Sequence, residues 1–421
     1  MKRYTLTILL GLFIAAGIGT YYVYGAVDNL PRYKLSTIQG NTEEGAALEL
    51  SGNYSGRMRS QSLTVTTDGA RYSRYYGDHS ILRQNFLGAL LNARSYFYRS
   101  SDIRDLIKNH RNFMRGKGLQ GGFYKDEEWL IYAHSSVKIV NSTKRKGILI
   151  IDLLNLSSGK TKRYETAANT VYIQEISDVQ RVGNQIHILS YEQKPNQTAG
   201  KFTESSSEYR DYVVDLNNGN LIRNEKLSYD ISGKKGVQVN IRAVTNALPS
   251  APAEYVLLTV DEEKITEKDH NSYTGVTIAR HLYSYSYKTG HLTALPASLT
   301  QRNLGPKTYQ SYSLNGNMID LLAFENKKVS VSRYNLDIEQ EEKVLPPITA
   351  KLLGADQLGN ALIKNNRVYV LLHKNKIPMA AVLDATDGKL LYKGQVTFEG
   401  PDSEANEQMK NLQLLNMNIK N

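Results

Sequence analysis

The chain has 421 residues, with 52 Lys or Arg against 41 Asp or Glu and no cysteine. Without cysteine there are no disulfides, thiolate metal sites, iron–sulfur clusters, thiol nucleophiles or lipoprotein attachment. The net charge of +11 would raise nucleic acid as a partner in the cytosol, but the opening stretch points to another compartment, where no nucleic-acid partner is expected.

Residues 5–27, TLTILLGLFIAAGIGTYYVYGAV, carry no acidic or basic side chain. A hydrocarbon core about 30 Å thick takes roughly 20 helical residues to cross. Lys2 and Arg3 precede the run, and Tyr21, Tyr22 and Tyr24 suit the headgroup layer. Residues 4–27 are therefore expected as a transmembrane signal anchor of the cell membrane, single-pass, with residues 1–3 cytoplasmic and the rest outside. A cleaved signal peptide is the alternative. Cleavage after Ala26 would put bulky Tyr24 where a small residue is wanted. An extracytoplasmic chain of this size without cysteine fits a bacterial envelope. Residues 28–44 read as a short polar stalk.

Residues 46–76 read as two or three strands, with an Asp68-Gly69 turn. Residues 78–116 then change period and read as a basic helical hairpin insert. Ile81, Leu82, Phe86, Leu90 and Leu91 mark its first helix; Ile103, Leu106, Ile107, Phe113 and Met114 mark the second. Between Tyr54 and Gly118 stand twelve Lys or Arg and four Asp or Glu, most of the net charge. Arg104, Lys108, Arg111 and Arg115 fall at spacings that line one side of a continuous helix. Outside a membrane their counterparts are anionic lipid headgroups or anionic cell-wall polymer. The plainer alternative is a solvated basic face. The insert is expected near the membrane plane, because so little chain separates it from the anchor.

From Gly122 onward one unit recurs: an apolar strand, a polar gap, a second strand, a turn and a third strand. WLIYAHSSV leads to GILIIDLLNLSSGKTKRYE, NQIHILSYE to YRDYVVDLNNGNLIRNEKL, and RVYVLLHKN to MAAVLDATDGKLLYKG, with two further copies between. The turn glycines are Gly159, Gly219, Gly290 and Gly388, with Gln340 in the equivalent place of the fourth unit. In VVDLNNGNLI and VLDATDGKLL the repeat resembles the D-x-x-(T/N/S)-G-x-L turn of quinoprotein-like β-propellers, and the whole chain resembles bacterial single-pass, extracytoplasmic propeller proteins. The resemblance implies an all-β fold, a propeller of about six to eight four-stranded blades with seven favoured, over residues 45–400. Residues 401–421 are left as a C-terminal tail. A tandem of β-sandwiches is the structural competitor.

A quinone-binding propeller enzyme would need a disulfide against its cofactor and tryptophan docking turns; this chain has only Trp129. No cofactor, metal or catalytic residue is expected. The acid runs Asp126-Glu127-Glu128, Asp261-Glu262-Glu263 and Glu339–Glu342 fall at strand ends or in polar gaps, where acids are usually solvated. His281 and His291 flank one turn and are placed to face each other across a hairpin, whereas His187 and His373 sit in apolar strands as hydrogen-bonded core residues. In RHLYSYSYK, alternation puts His281, Tyr283, Tyr285 and Tyr287 on one face. Exposed, they would make a platform for a sugar or peptide; otherwise they pack between blades. The expected function is a non-catalytic, membrane-tethered binding or scaffolding module, with another membrane protein as a possible partner. The alternatives are a carbohydrate-active hydrolase with carboxylates at the propeller mouth and a sensor domain acting through a membrane partner.

Overall fold

The computed structural model describes residues 10–17, 30–56, 60–72, 101–141, 145–168, 170–194, 206–230, 236–244, 249–268, 273–300, 309–325 and 328–420. Residues 10–17 are helical. The rest of the expected anchor and the first helix of the expected insert lie outside the described residues. Among the described residues no helix is long and apolar enough to cross a membrane.

Alternating apolar residues between turns produce six antiparallel sheets. Sheet 2 stacks Phe123–Lys125, Trp129–Ile139, Arg145–Asn155 and Thr161–Ala167 in chain order. Sheet 3 follows with Ile173–Val182, Gln185–Lys194, Ser206–Asp215 and Leu221–Lys226. Sheet 4 has Val237–Val244, Tyr255–Lys268, Tyr273–Ser286 and Leu292–Ala294; sheet 5 has Tyr309–Asn315, Met318–Glu325, Lys328–Asn335 and Gln340–Val344. Sheet 6 runs Gln357–Lys364, Arg367–Lys374, Ile377–Asp384 and Leu390–Phe398, then takes Tyr33–Gly40 as a fifth strand. Sheet 1 places Leu412–Ile419 beside Leu48–Ser55, Ser60–Thr66 and Gly69–Tyr72. The helices are short: α1 Thr42–Gly45, α2 Ser101–Asn109, α3 Arg111–Met114 and α4 Asp402–Lys410.

Tyr33–Gly40 and Leu412–Ile419 are thus strands of the fold, which corrects the stalk and the tail. Tyr33 and Leu35 alternate into the core and are 0% and 1% exposed, while Leu412, Leu414 and Met417 do the same from the other end. The segment 46–72 supplies only three strands, and the C-terminal strand supplies the fourth. Six sheets therefore stand among the described residues, not the favoured seven.

Side chains alternate between the two faces of each sheet, so each seam has its own core. Ile131, Ala133, Leu149 and Ile151 of sheet 2 meet Ile186 and Ile188 of sheet 3, while Leu130, Tyr132 and Leu154 turn the other way, onto α2 and α3. Further apolar clusters join sheets 3 to 4, 4 to 5, 5 to 6 and 6 to 1. The succession is propeller-like. Among the described residues no hydrogen-bonded ladder closes one sheet on the next.

One turn recurs between third and fourth strands. Gly159, Gly219, Gly290 and Gly388 have φ of 67°, 75°, 72° and 76°, and each N–H donates to the carbonyl four residues back, at 2.8–2.9 Å. In sheet 5 the left-handed residue is Glu339 (φ 53°), one position before the expected Gln340. The residue opening this turn then donates to the turn between the first two strands: Leu156 to Glu128, Leu216 to Asn184, Tyr287 to Glu254, Leu336 to Asn317 and Ala385 to Asn366. Five sheets share this lock.

The sheets also point the same way. Arg181 of sheet 3 pairs with Asp126 and Glu128 of sheet 2. Arg223 of sheet 3 lies against Gly290 of sheet 4, Tyr255 of sheet 4 donates to Asp337 of sheet 5, and Arg333 of sheet 5 donates to Asn366 of sheet 6. Every one of these contacts joins a strand residue to a turn of the neighbouring sheet. One end of the molecule, the turn end, therefore carries all the locked turns; the hairpins between second and third strands lie at the other, the hairpin end.

The turn glycines differ in what surrounds them. A methyl group on Gly219 would fall 2.4 Å from Tyr164 Cγ, whereas one on Gly388 would find only Leu345 at 4.0 Å. Gly388→Ala should cost about 1 kcal/mol from backbone strain alone, and Gly219→Ala clearly more, as read by urea unfolding. Equal costs would contradict this packing.

Candidate functional site

The basic segment is built by amphipathicity. Ile103, Leu106, Phe113 and Met114 are buried against Phe123, Leu130, Tyr132 and Leu154 of sheet 2. At His110 the backbone leaves the helical region (φ −128°, ψ 45°), so the expected single helix is two. Lys108 belongs to α2, Arg111 opens α3, and Arg115 follows α3 in extended conformation. The row of four on one helix face is thereby corrected, although Lys108, Arg111 and Arg115 are all exposed. Arg104 lies in α2, with its side chain outside the described residues. Asp102 pins the first turn: its Oδ2 accepts from Ser250 N at 2.9 Å and Ser250 Oγ at 2.6 Å, and Ser250 O accepts from Lys125 N at 2.6 Å. Lys125, Leu130 and Leu154 adjoin the locked turns, so the segment sits on the turn half of sheet 2.

The tyrosine face is not a platform. Tyr283, Tyr285 and Tyr287 are 5%, 0% and 1% exposed, packed in the seam between sheets 3 and 4. His281, at the far end of the row, is half-exposed with Nε2 3.2 Å from Glu262 Oε1. It does not meet His291: the short fourth strand pairs Leu292 with Tyr285 and Ala294 with Tyr283, leaving the two histidines at opposite ends. His373 is half-buried, and burial pushes its pKa down.

Beneath the tyrosines lies a polar cluster that periodicity alone did not single out. Asp211 Oδ2 accepts from Tyr285 at 2.6 Å and lies 2.8 Å from His187 Nδ1, with Arg223 at 3.7 Å. Asp178 Oδ2 accepts from Tyr287 at 2.7 Å, and its Oδ1 accepts from Gln180 Nε2 at 3.1 Å and Val179 N at 2.9 Å. Gln180 also accepts from Ala253 N at 2.8 Å. His187 and Asp211 are 1% and 0% exposed. A histidine, two carboxylates and two phenols in one place resemble acid–base machinery, here with the His187–Asp211 pair fully buried. Its chemistry is structural: each carboxylate is held by hydroxyl donors from the next sheet. His187 is a hydrogen-bonded core residue, as its apolar strand predicts.

Acids of the first two runs have partners as well. Asp126 Oδ1 accepts from Glu128 N and Trp129 N, and Asp126 and Glu128 share Arg181. Asp261, 1% exposed, is gripped by Arg242 and Arg280. Glu339 and Glu341 are exposed at a turn. Among the described residues no group of three or more His, Asp or Glu is placed to hold a metal ion.

Desolvation pushes the Asp178 carboxyl up to about 6, against its hydrogen bonds from Tyr287, Gln180 and Val179, with Asp211 raising it further. An unfolded carboxyl titrates near 4, so folding takes up a proton between those values. This group's contribution to stability is full below about 4 and lost as pH rises through about 6. Wild type should therefore lose stability relative to Asp178→Asn as pH is raised from about 5 to about 7. Parallel profiles of melting temperature against pH would contradict the assignment.

No protein family and no curated protein matches the chain. Among solved structures it is similar to an uncharacterized protein from Listeria monocytogenes, with 8% identity and a TM-score of 0.31 over 65% of this chain and 66% of that one. A Synechocystis apocarotenoid oxygenase aligns at 9% identity and a TM-score of 0.38 over 87% of this chain and 94% of its own; three other structures of that oxygenase align over 58% of theirs. The Dos1 propeller aligns at 10% identity and a TM-score of 0.28, over 62% and 57%.

Proposed function

We propose that the protein is a non-catalytic binding module of the bacterial envelope, tethered by residues 4–27 to the outer face of the cytoplasmic membrane. Its six sheets form a β-propeller, with α2 and α3 on the face of sheet 2 turned away from sheet 3. The module presents its turn end to an anionic wall polymer. One observation carries this reading: α2 and α3 spend their apolar side on sheet 2 and leave Lys108, Arg111 and Arg115 exposed at the turn half. The charge-free run of residues 5–27 supports the tether. Asp178 and Asp211 in the seam, and Asp126 and Asp261 in the acid runs, have structural partners, which favours binding over hydrolysis.

The test uses the full chain in nanodiscs of neutral lipid, with a poly(glycerol phosphate) chain as the probe. Binding should be firm in low salt and fall as salt screens the contact. Lys108→Glu, Arg111→Glu and Arg115→Glu together should weaken it roughly a hundredfold, at about 1 kcal/mol per basic residue, with the melting temperature unchanged. Indifference of the wild type to the polymer at low ionic strength would overturn the reading.

A further inference from the structure

In sheet 2 the two central strands overshoot both neighbours. The inner strand pairs no further than Tyr132, and the outer one no further than Ile148. Beyond Gly147 the two strands pair only with each other, through Val137 opposite Gly147, Lys138 opposite Lys146 and Ile139 opposite Arg145. On this ribbon Val137, Ile139 and Val140 are 47%, 71% and 54% exposed. Lys138, Arg145 and Lys146 are exposed too. No Asp or Glu occurs from Trp129 to Ile151.

This chemistry does not serve the sheet. Like charges directly opposite each other weaken a ladder, and branched aliphatic side chains in water gain nothing. Together they suit one kind of surface, apolar just below a layer of negative charge. Another overshooting hairpin, in sheet 4, exposes Val276 and Ile278 but carries Glu262, Glu263 and Glu267 and lacks that complementarity.

The position agrees. Tyr33 pairs with Phe398 beside the Lys374–Ile377 hairpin of sheet 6, and Tyr72 OH donates to Pro31 O at 2.7 Å. The apolar run, which precedes Pro31, thus joins the fold at the hairpin end, the end from which the ribbon of sheet 2 projects.

We propose that the ribbon tip is a lipid-binding finger: Val137, Ile139 and Val140 enter the boundary between headgroups and acyl chains, while Lys138, Arg145 and Lys146 pair with anionic lipid phosphates. The inference rests on the reading of residues 4–27 as a membrane anchor. Seated this way, the finger holds the hairpin end down and the turn end outward.

The chain lacks cysteine, so an introduced thiol is unique. Full-length Ile139→Cys and, as a turn-end control, Ser157→Cys are labelled with an environment-sensitive fluorophore. Each is reconstituted into vesicles of phosphatidylcholine with or without phosphatidylglycerol and trace spin-labelled lipid. The label at 139 should shift to apolar emission and be quenched by spin-labelled lipid in the anionic vesicles, more weakly in neutral ones, and the label at 157 in neither. Lys138→Glu with Lys146→Glu should abolish the quenching while the melting temperature holds. A water-like label at 139 in anionic vesicles, on a chain that resists alkaline extraction, overturns the finger and leaves the tether standing. Release of the chain by alkali overturns the tether, and the finger with it.

Discussion

The fold depends on a common direction shared by its sheets, and a small backbone device sets that direction. A left-handed residue closes the turn between the third and fourth strands, and the residue opening that turn donates its N–H to the turn between the first and second. The two turns of a sheet are thereby held side by side at one end. Polar contacts between neighbouring sheets use those same turns, so each sheet fixes the orientation of the next. Hairpins collect at the opposite end by default, free of such locks and free to vary in length. The two ends of the molecule are therefore different surfaces.

Between the ends, the seams are mostly apolar, with one polar exception. Between sheets 3 and 4 tyrosine hydroxyls reach across to Asp178 and Asp211. Burying carboxylates there costs desolvation that the hydroxyl donors only partly offset, as the raised Asp178 shows. What the cluster adds is specificity: only one register of sheet 4 against sheet 3 brings both hydroxyls onto both carboxylates. The abundance of tyrosine over phenylalanine, 29 to 8, finds part of its explanation here.

The strands of five sheets were legible because each obeys period-two alternation, and in four of them the third strand leads into a turn with a left-handed glycine. The sixth was half legible, since no local pattern says that Leu412–Ile419 must cross the molecule to pair with Leu48–Ser55. Tyr33 and Leu35 do alternate, but two apolar residues among polar ones read as a stalk until a partner strand is known. Strand alternation put Tyr283, Tyr285 and Tyr287 on one face correctly; whether that face meets water depends on the neighbouring sheet, which periodicity does not contain. The break at His110 was invisible for a related reason: apolar spacing continues through it, because α3 packs on the same patch of sheet 2 as α2. The seam cluster escaped because Asp178, His187 and Asp211 come from three strands. The hairpin tip of sheet 2 did leave a mark in the sequence, a run with aliphatic and basic residues and no acid, but only the ladder shows that its neighbours stop short.

Placed together, these features distinguish two surfaces. The basic helices occupy the turn half of sheet 2, away from where Tyr33 enters the fold, so the proposed tether turns them outward instead of toward the membrane plane. On the proposed tether, the hairpin end, with Tyr33 and the ribbon of sheet 2, is the side turned to the bilayer. The most direct check on this orientation is energy transfer from single labels on the full chain to an acceptor confined to lipid headgroups. A donor at Lys374→Cys, on the hairpin end of sheet 6, should transfer strongly, and one at Asn217→Cys, on the turn end of sheet 3, weakly. Equal transfer from the two positions, or the reverse order, would contradict the account.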